Sequence, residues 1–183
     1  MNQIKEPTGM ELLYGREEIA RAVRAMGARI DADYAGKVSE NSRLLVLGVL
    51  NGAFVFMADL IREITVPLEV DFIRLSSYED GDKSSREVVL LKAPERPVES
   101  RHVLVVEDIA DCGLTLRWLL GYLGQKGPAS VRTAVCVDKR ERREAHVSLD
   151  YTAFVQEGGF LVGYGLDYAR SYRGLDGIYR LLF

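Results

Sequence analysis

Residues 103–116 read VLVVEDIADCGLTL, and they hold the densest chemistry in the chain. Apolar residues lead into two adjacent acids, Glu107 and Asp108. A short loop, Asp111-Cys112-Gly113-Leu114-Thr115, then runs into a helical pattern. A glycine-bearing loop that opens a helix presents free backbone N–H groups, and the helix dipole adds to their pull on an anion. Gly113 lets the backbone approach such a ligand closely. The combination suits a phosphate held beside carboxylates, at the carboxyl end of a buried strand, where open α/β sheets bind their ligands. It is neither a Walker A loop, since no G-x-x-x-x-G-K is present, nor a G-x-G-x-x-G fingerprint. The plain alternative is an Asp111 N-cap after a solvated strand end.

The elements that must position these residues follow from hydrophobic periodicity. Residues 16–35 have helical spacing through Ile19, Val23, Met26 and Ile30. Residues 43–50, RLLVLGVL, form a continuous apolar run of the kind buried on both faces of a parallel sheet. Asn51-Gly52 breaks the run, and Ala53 to Ile64 returns to helical spacing. Residues 66–75 alternate as a strand. Residues 76–86, SSYEDGDKSSR, are polar and small, which predicts a loop, with a strand resuming over Val88–Leu91. Pro94 and Pro97 mark a turn. Strands are expected over His102–Val106, Val131–Val137, Tyr151–Val155 and Phe160–Val162, with a helix from Gly113 to about Gln125. Lys139–Glu144 is charge-rich, and Arg140, Arg142 and Arg143 make one small basic cluster. Strands alternating with helices give an α/β domain with a mainly parallel sheet.

Composition bounds the rest. The 183 residues amount to one domain, and 48% hydrophobic residues exclude a disordered chain. A formal net charge of −3 argues against a nucleic-acid partner, whose binders are usually basic. Two cysteines, Cys112 and Cys136, make neither a disulfide framework nor a zinc site. No apolar run reaches membrane-spanning length, and Met1–Gly9 has no signal-peptide core, so the expected location is the cytoplasm, with no membrane partner.

The 103–116 stretch resembles the signature of type I phosphoribosyltransferases, which bind phosphoribosyl pyrophosphate. GVLNGAFVFMADLI (48–61), SSY (76–78), VDK (137–139) and FLVGYGLDY (160–168) resemble, in order, blocks of the 6-oxopurine branch of that family. The likeness runs from about Leu12 onward. It implies a single domain over residues 1–183: a twisted, mainly parallel sheet flanked by helices (about 38–150), with a small hood from about 1–37 and 151–183. The implied reaction joins hypoxanthine, and guanine, to phosphoribosyl pyrophosphate, giving IMP or GMP and pyrophosphate, with Mg²⁺ as cofactor and a homodimer or homotetramer as assembly. A nucleic-acid-binding regulator on the same fold and a xanthine-preferring enzyme remain as alternatives.

The roles follow by resemblance. Asp111, Cys112, Gly113, Leu114 and Thr115 would hold the 5′-phosphate, with Asp111 also exchanging the purine N7 proton. Glu107 and Asp108 would meet the ribose hydroxyls and, with Asp167, the metal. Leu50, Asn51 and Gly52 match a pyrophosphate loop that usually carries a non-proline cis peptide at Leu50-Asn51, and Arg173 matches a pyrophosphate-binding arginine. Ser76, Ser77 and Tyr78 match a lid. Lys139 matches the donor to the 6-oxo group, Phe160 the aromatic stacked on the base, and Leu161 offers backbone groups to the base edge. Read without the family, Lys139 is one more surface charge, and Phe160 and Leu161 are sheet core. Three positions depart from the pattern. Asn51 stands where lysine is frequent, and Cys112 where a hydroxyl residue is usual. Val155-Gln156-Glu157-Gly158-Gly159 replaces a Pro-Asp-Lys stretch, which leaves the preference among hypoxanthine, guanine and xanthine open.

Overall fold

The computed structural model describes residues 5–79 and 86–183. Its elements in chain order are β1 (Gly9–Tyr14), α1 (Arg16–Tyr34), β2 (Leu44–Leu50), α2 (Phe54–Glu63), β3 (Leu68–Glu79), β4 (Arg86–Lys92), β5 (His102–Ala110), α3 (Leu114–Gly124), β6 (Ser130–Lys139), β7 (Tyr151–Gln156), β8 (Phe160–Val162) and β9 (Ile178–Leu182). Six strands form one sheet in the order β4-β3-β2-β5-β6-β7. All neighbours in it are parallel except the β3–β4 edge pair.

The unbroken apolar runs have a direct cause. Alternate residues of the central strands feed two cores, one on each face. Leu44, Val46, Leu104 and Val106 pack with Ile19, Val23, Ile30, Phe56 and Leu60 of α1 and α2. Leu45, Leu47, Val103 and Val105 pack with Leu116, Leu119 and Leu123 of α3. A strand covered on both sides has no solvent face to make polar, so alternation disappears.

Chain order reverses at the middle of the sheet. From β2 the chain adds β3 and β4 on one side, then crosses to place β5, β6 and β7 on the other. The loops leaving β2 and β5 therefore diverge above the carboxyl ends of adjacent strands, which opens a crevice at that switch point. A second sheet, β1-β9-β8, is antiparallel throughout, pairing Gly9–Tyr14 with Ile178–Leu182 and the latter with Phe160–Val162.

Three sequence expectations need correction. Ser76 to Glu79 are not loop but the end of β3, paired with Arg86 to Val89 of β4; residues 80–85 of the expected loop lie outside the described residues. Backbone pairing to a neighbouring strand holds this polar stretch in the sheet, where side-chain pattern gave no sign of it. β5 continues past Val106 to Ala110, so Glu107 and Asp108 stand within a strand rather than beyond its end. Strands β1 and β9 had no expected counterpart. Among the described residues, no helix is long and apolar enough to cross a membrane.

Candidate active site

The crevice gathers segments from four parts of the chain. The loop after β2 carries a cis peptide between Leu50 and Asn51. Gly52 follows, and an added Cβ there would sit 1.6 Å from Oδ2 of Asp108 on the adjacent strand. Only a residue without a side chain permits that approach. On its other side, the Gly52 carbonyl lies 2.2 Å from where a Cβ on Gly165 would be. Asp108 thus faces a loop packed tightly between β5 and the segment after β8.

The two acids influence each other. Both are half-buried by surface area. Burial, then the charge of Asp108, pushes Glu107 well above the ordinary carboxylate range. Asp108 is also raised by burial, against hydrogen bonds and the charge of Arg173 that pull the other way. Such a pair gains from a hydroxyl donor or a cation arriving at it. Among the described residues, no group of three or more His, Cys, Asp or Glu side chains converges to hold a metal. Two adjacent carboxylates nevertheless fit Mg²⁺, which takes one or two from protein and fills its shell with water and substrate phosphate oxygens. Asp167 is differently placed. Its Oδ1 pairs with Arg173 Nη2 at 2.6 Å, and its Oδ2 accepts from the Arg170 N–H at 2.9 Å. Arg173 also donates to the Gly165 carbonyl at 2.6 Å.

The loop after β5 turns at Gly113, whose φ of 80° is the left-handed region that glycine favours, and it precedes the first turn of α3. A Cβ there would meet the Ala145 carbonyl at 2.8 Å. Residues 140–145 lie along this loop. The N–H groups of Glu144 and Ala145 both donate to the Cys112 carbonyl at 3.0 Å. Arg143 donates to the carbonyls of Asp111 (2.9 Å), Ala110 (2.8 Å) and Lys139 (3.2 Å), and to the Asp138 carboxylate. Two arginines of this segment are committed to partners: Arg140 pairs with Asp138 and Glu157, and Arg143 with Asp138.

A cavity of about 460 Å³ opens beside these loops. It is lined by Asp108, Ile109 and Asp111 on one side and by Lys139, Phe160 and Leu161 on another. Lys139 is 6% exposed, and its Nζ stands 3.4 Å from Asp111 Oδ2 and 3.9 Å from Glu141 Oε2. Asp111 Oδ1 is buried and, among the described residues, has no hydrogen-bond partner. Phe160 is 42% exposed, so its ring is not sheet core. Its edge is braced by Tyr168 at 4.9 Å and Phe183 at 6.4 Å. Leu161 is buried in the core cluster, as its type suggests. Ser76 stands two residues past Arg74, the last β3 residue paired with β2, and does not line the cavity. A larger cavity, about 610 Å³, lies outside α3 between Val88, Trp118 and Tyr122, where Trp118 is half-buried against the core. Among the described residues, its lining carries no carboxylate.

Sequence reasoning passed over Glu141, Arg143, Tyr168 and Phe183. Glu141 and Arg143 were hidden in a charge run, and Phe183 is brought to the pocket only by β9 pairing with β8.

The fold and the crevice define a sugar-phosphate transferase class, and the chain belongs to the phosphoribosyl transferase domain family, whose sequence profile matches residues 12–169. Within it, the chain is 41% identical over 165 residues to the hypoxanthine-guanine phosphoribosyltransferase of Streptococcus mutans, covering 90% of this chain and 89% of that one. Among solved structures, a hypoxanthine phosphoribosyltransferase from Trypanosoma cruzi, studied for the role of its C-terminal region in oligomeric state and activity, superposes with a TM-score of 0.90 at 39% identity (97% of this chain, 94% of that one). A variant of the T. cruzi enzyme, solved as a ternary substrates complex, gives 0.88 at 40% identity, covering 93% and 94%.

Proposed function

We propose that this chain is a purine-salvage enzyme that transfers the phosphoribosyl group of phosphoribosyl pyrophosphate to N9 of hypoxanthine or guanine. The observation that carries the reading is the Asp111–Lys139 pair: a buried lysine donor beside a carboxylate with one oxygen unpartnered. Leaving a buried acceptor unmade costs free energy, so the site is built for a donor that arrives with a ligand. The N7–H of a 6-oxopurine is such a donor, and its neighbouring 6-oxo group accepts from Lys139. Adenine offers an amino group there, which a lysine cannot satisfy.

The base packs on the exposed face of Phe160. Its N9 lone pair forms the bond to C1′ as the C1′–O bond to pyrophosphate breaks and the electron pair leaves with the oxygen. Asp111 takes the N7 proton, so charge does not accumulate on the purine. The 5′-phosphate sits on the N–H groups of the Asp111–Thr115 loop at the start of α3. Glu107 and Asp108 accept from the 2′ and 3′ hydroxyls. Leu50, Asn51, Gly52 and Arg173 hold the pyrophosphate, with Asn51 contributing no charge. Glu107 and Asp108 would hold Mg²⁺, which when bound would supply positive charge to offset that on the leaving pyrophosphate. Asp167 serves through its ion pair, orienting Arg173. Ser76, Ser77 and Tyr78 belong to a lid that excludes water from the sugar cation. Assembly is a homodimer or homotetramer, and the compartment is the cytoplasm.

The test supplies Mg²⁺ and phosphoribosyl pyrophosphate with hypoxanthine, guanine, xanthine, adenine or uracil. Nucleotide from hypoxanthine and guanine is expected, and none from either would overturn the reading. Asp111→Asn keeps the shape but accepts no proton; a loss of about 10²–10⁴-fold in kcat is expected, and an undiminished rate would remove Asp111 from the proton step.

A further inference from the structure

The base pocket holds a further carboxylate to which the proposed reaction gives no role. Glu141 follows β6 by two residues and lines the same cavity as Asp111, Lys139 and Phe160. Its Oε2 accepts from the Gly159 N–H at 3.2 Å and stands 3.9 Å from Lys139 Nζ. Its own backbone is fixed too, the N–H donating to the Glu157 carbonyl at 2.9 Å. Room for the carboxylate comes from the glycine pair. A Cβ on Gly158 would lie 2.9 Å from Cδ and Oε2 of Glu141. The Gly158-Gly159 departure noted in the sequence and the presence of Glu141 are two halves of one arrangement.

Resting on the reading above, in which Lys139 meets the 6-oxo group and Asp111 the N7 side, we propose that Glu141 is a specificity-determining residue that selects among 6-oxopurines at their N1–C2 edge. In a purine the 6-oxo group lies between N7 and N1. With the first two fixed, the N1–C2 edge turns to the remaining lining around Glu141 and Gly159. A carboxylate is an acceptor only. It matches the N1–H of hypoxanthine, and the N1–H and 2-amino group of guanine. It opposes xanthine, whose 2-oxo group brings a second acceptor to the same place. Charge acts in the same sense: Glu141→Gln removes one of the acids that line this cavity beside its two cations, Lys139 and Arg142, which lessens repulsion of an oxygen-rich edge.

The test measures kcat/KM for hypoxanthine, guanine and xanthine, at saturating phosphoribosyl pyrophosphate and Mg²⁺, in the unaltered chain, Glu141→Gln and Gly158→Ala. Glutamine keeps the size and adds a donor. Alanine at 158 keeps the acid but drives its flexible end out of place. The xanthine-to-guanine ratio is expected to rise about tenfold in Glu141→Gln, the scale of one charged hydrogen bond exchanged for a mismatch. It should rise less, in the same direction, in Gly158→Ala. A ratio unchanged to within about twofold in both variants, with hypoxanthine still used, overturns the role of Glu141 alone; xanthine turnover below detection throughout counts as unchanged. If Glu141→Gln loses all turnover, the direction in Gly158→Ala decides. An unaltered chain that uses none of the three bases overturns the proposed reaction instead.

Discussion

Gly52→Ala tests whether the pyrophosphate loop and the ribose acids form one unit. An added Cβ would lie 1.6 Å from Asp108 Oδ2, 2.4 Å from its Cγ and 3.0 Å from its Oδ1. Ordinary contact begins near 3.4 Å, so the nearer oxygen must retreat by about 1.8 Å. The loop cannot yield instead, because the Gly52 carbonyl already lies against the backbone of Gly165. Asp108 must therefore rotate, which breaks the 2.9 Å hydrogen bond from the Ile109 N–H to its Oδ1. Misplacing a reacting group by 1 Å can cost about 10²-fold, so kcat/KM for phosphoribosyl pyrophosphate should fall by at least about 10²-fold. Relief of overpacking costs about 1–3 kcal/mol, a fall in Tm of about 2–12 °C, so the protein still folds. Gly121→Ala is the control. It lies in α3, no heavy atom comes within 4 Å of its added Cβ, and it should raise Tm by about 1–4 °C at unchanged rate. The assay is the initial rate of IMP formation against phosphoribosyl pyrophosphate, with Tm measured in parallel. A Gly52→Ala chain that keeps kcat/KM within about threefold would refute the reasoning, since no such carboxylate displacement is that cheap.

Two further outcomes concern the phosphate loop and the scaffold. Cys112 is half-buried in the loop assigned to the 5′-phosphate; its alkylation by iodoacetamide should slow about tenfold at ten times the Kd of the Mg²⁺ complex of phosphoribosyl pyrophosphate, and equal rates with and without it would move the phosphate elsewhere. Asp71, 6% exposed, accepts from the backbone N–H groups of Phe72, Glu95 and Arg96 at 2.7–2.8 Å. Asp71→Ala strands those donors and should cost about 2–3 kcal/mol, or about 4–12 °C in Tm. Burial raises the Asp71 carboxyl, but the three N–H groups, with Lys92, outweigh it and hold it below its ordinary 3.8. Its stabilisation is thus complete above that value and lost as pH falls through the lowered one, so the Tm gap to Asp71→Ala should close in strong acid. A gap that widened there would reverse the sign of this account.

What the sequence shows depends on how local the cause is. The central strands and three helices are legible because their apolar spacing reports burial, on both faces of Leu44–Leu50 and along one face of Leu114–Gly124. β1 and β9 are not. GMELLY is mostly exposed, and its partner lies about 170 residues away, so pairing rather than pattern makes it a strand. The same holds for Ser76–Glu79, where backbone pairing to β4 overrides a polar composition. In the site, VLVVEDIADCGLTL is contiguous and its loop readable. Which cation meets Asp111 is not, because Lys139 lies 28 residues away and reaches it only through the β5–β6 register.

That register also explains how an acidic protein can take a polyphosphate. The phosphate and pyrophosphate loops offer backbone N–H groups, and Asn51 stands where a charge is frequent, so little of the attraction is a side-chain cation. Two cations near the crevice are committed to geometry instead. Arg173 is held by Asp167 and the Gly165 carbonyl. Arg143 binds three carbonyls, those of Ala110 and Asp111 at the start of the phosphate loop and of Lys139 at the end of β6. One guanidinium thereby ties the start of the loop after β5 to the end of β6, the two segments proposed to anchor the sugar phosphate and the base. A lysine at 143 could reach only part of this fork. The acids at 107 and 108 then carry the remaining logic: both raised by burial, and Glu107 also by the charge of Asp108, they would gain most, on the proposed roles, when hydroxyls and a metal arrive together with the phosphates. With the proposed Mg²⁺ at these acids, a net charge of −3 would favour the metal-bound form of the substrate over the free polyanion.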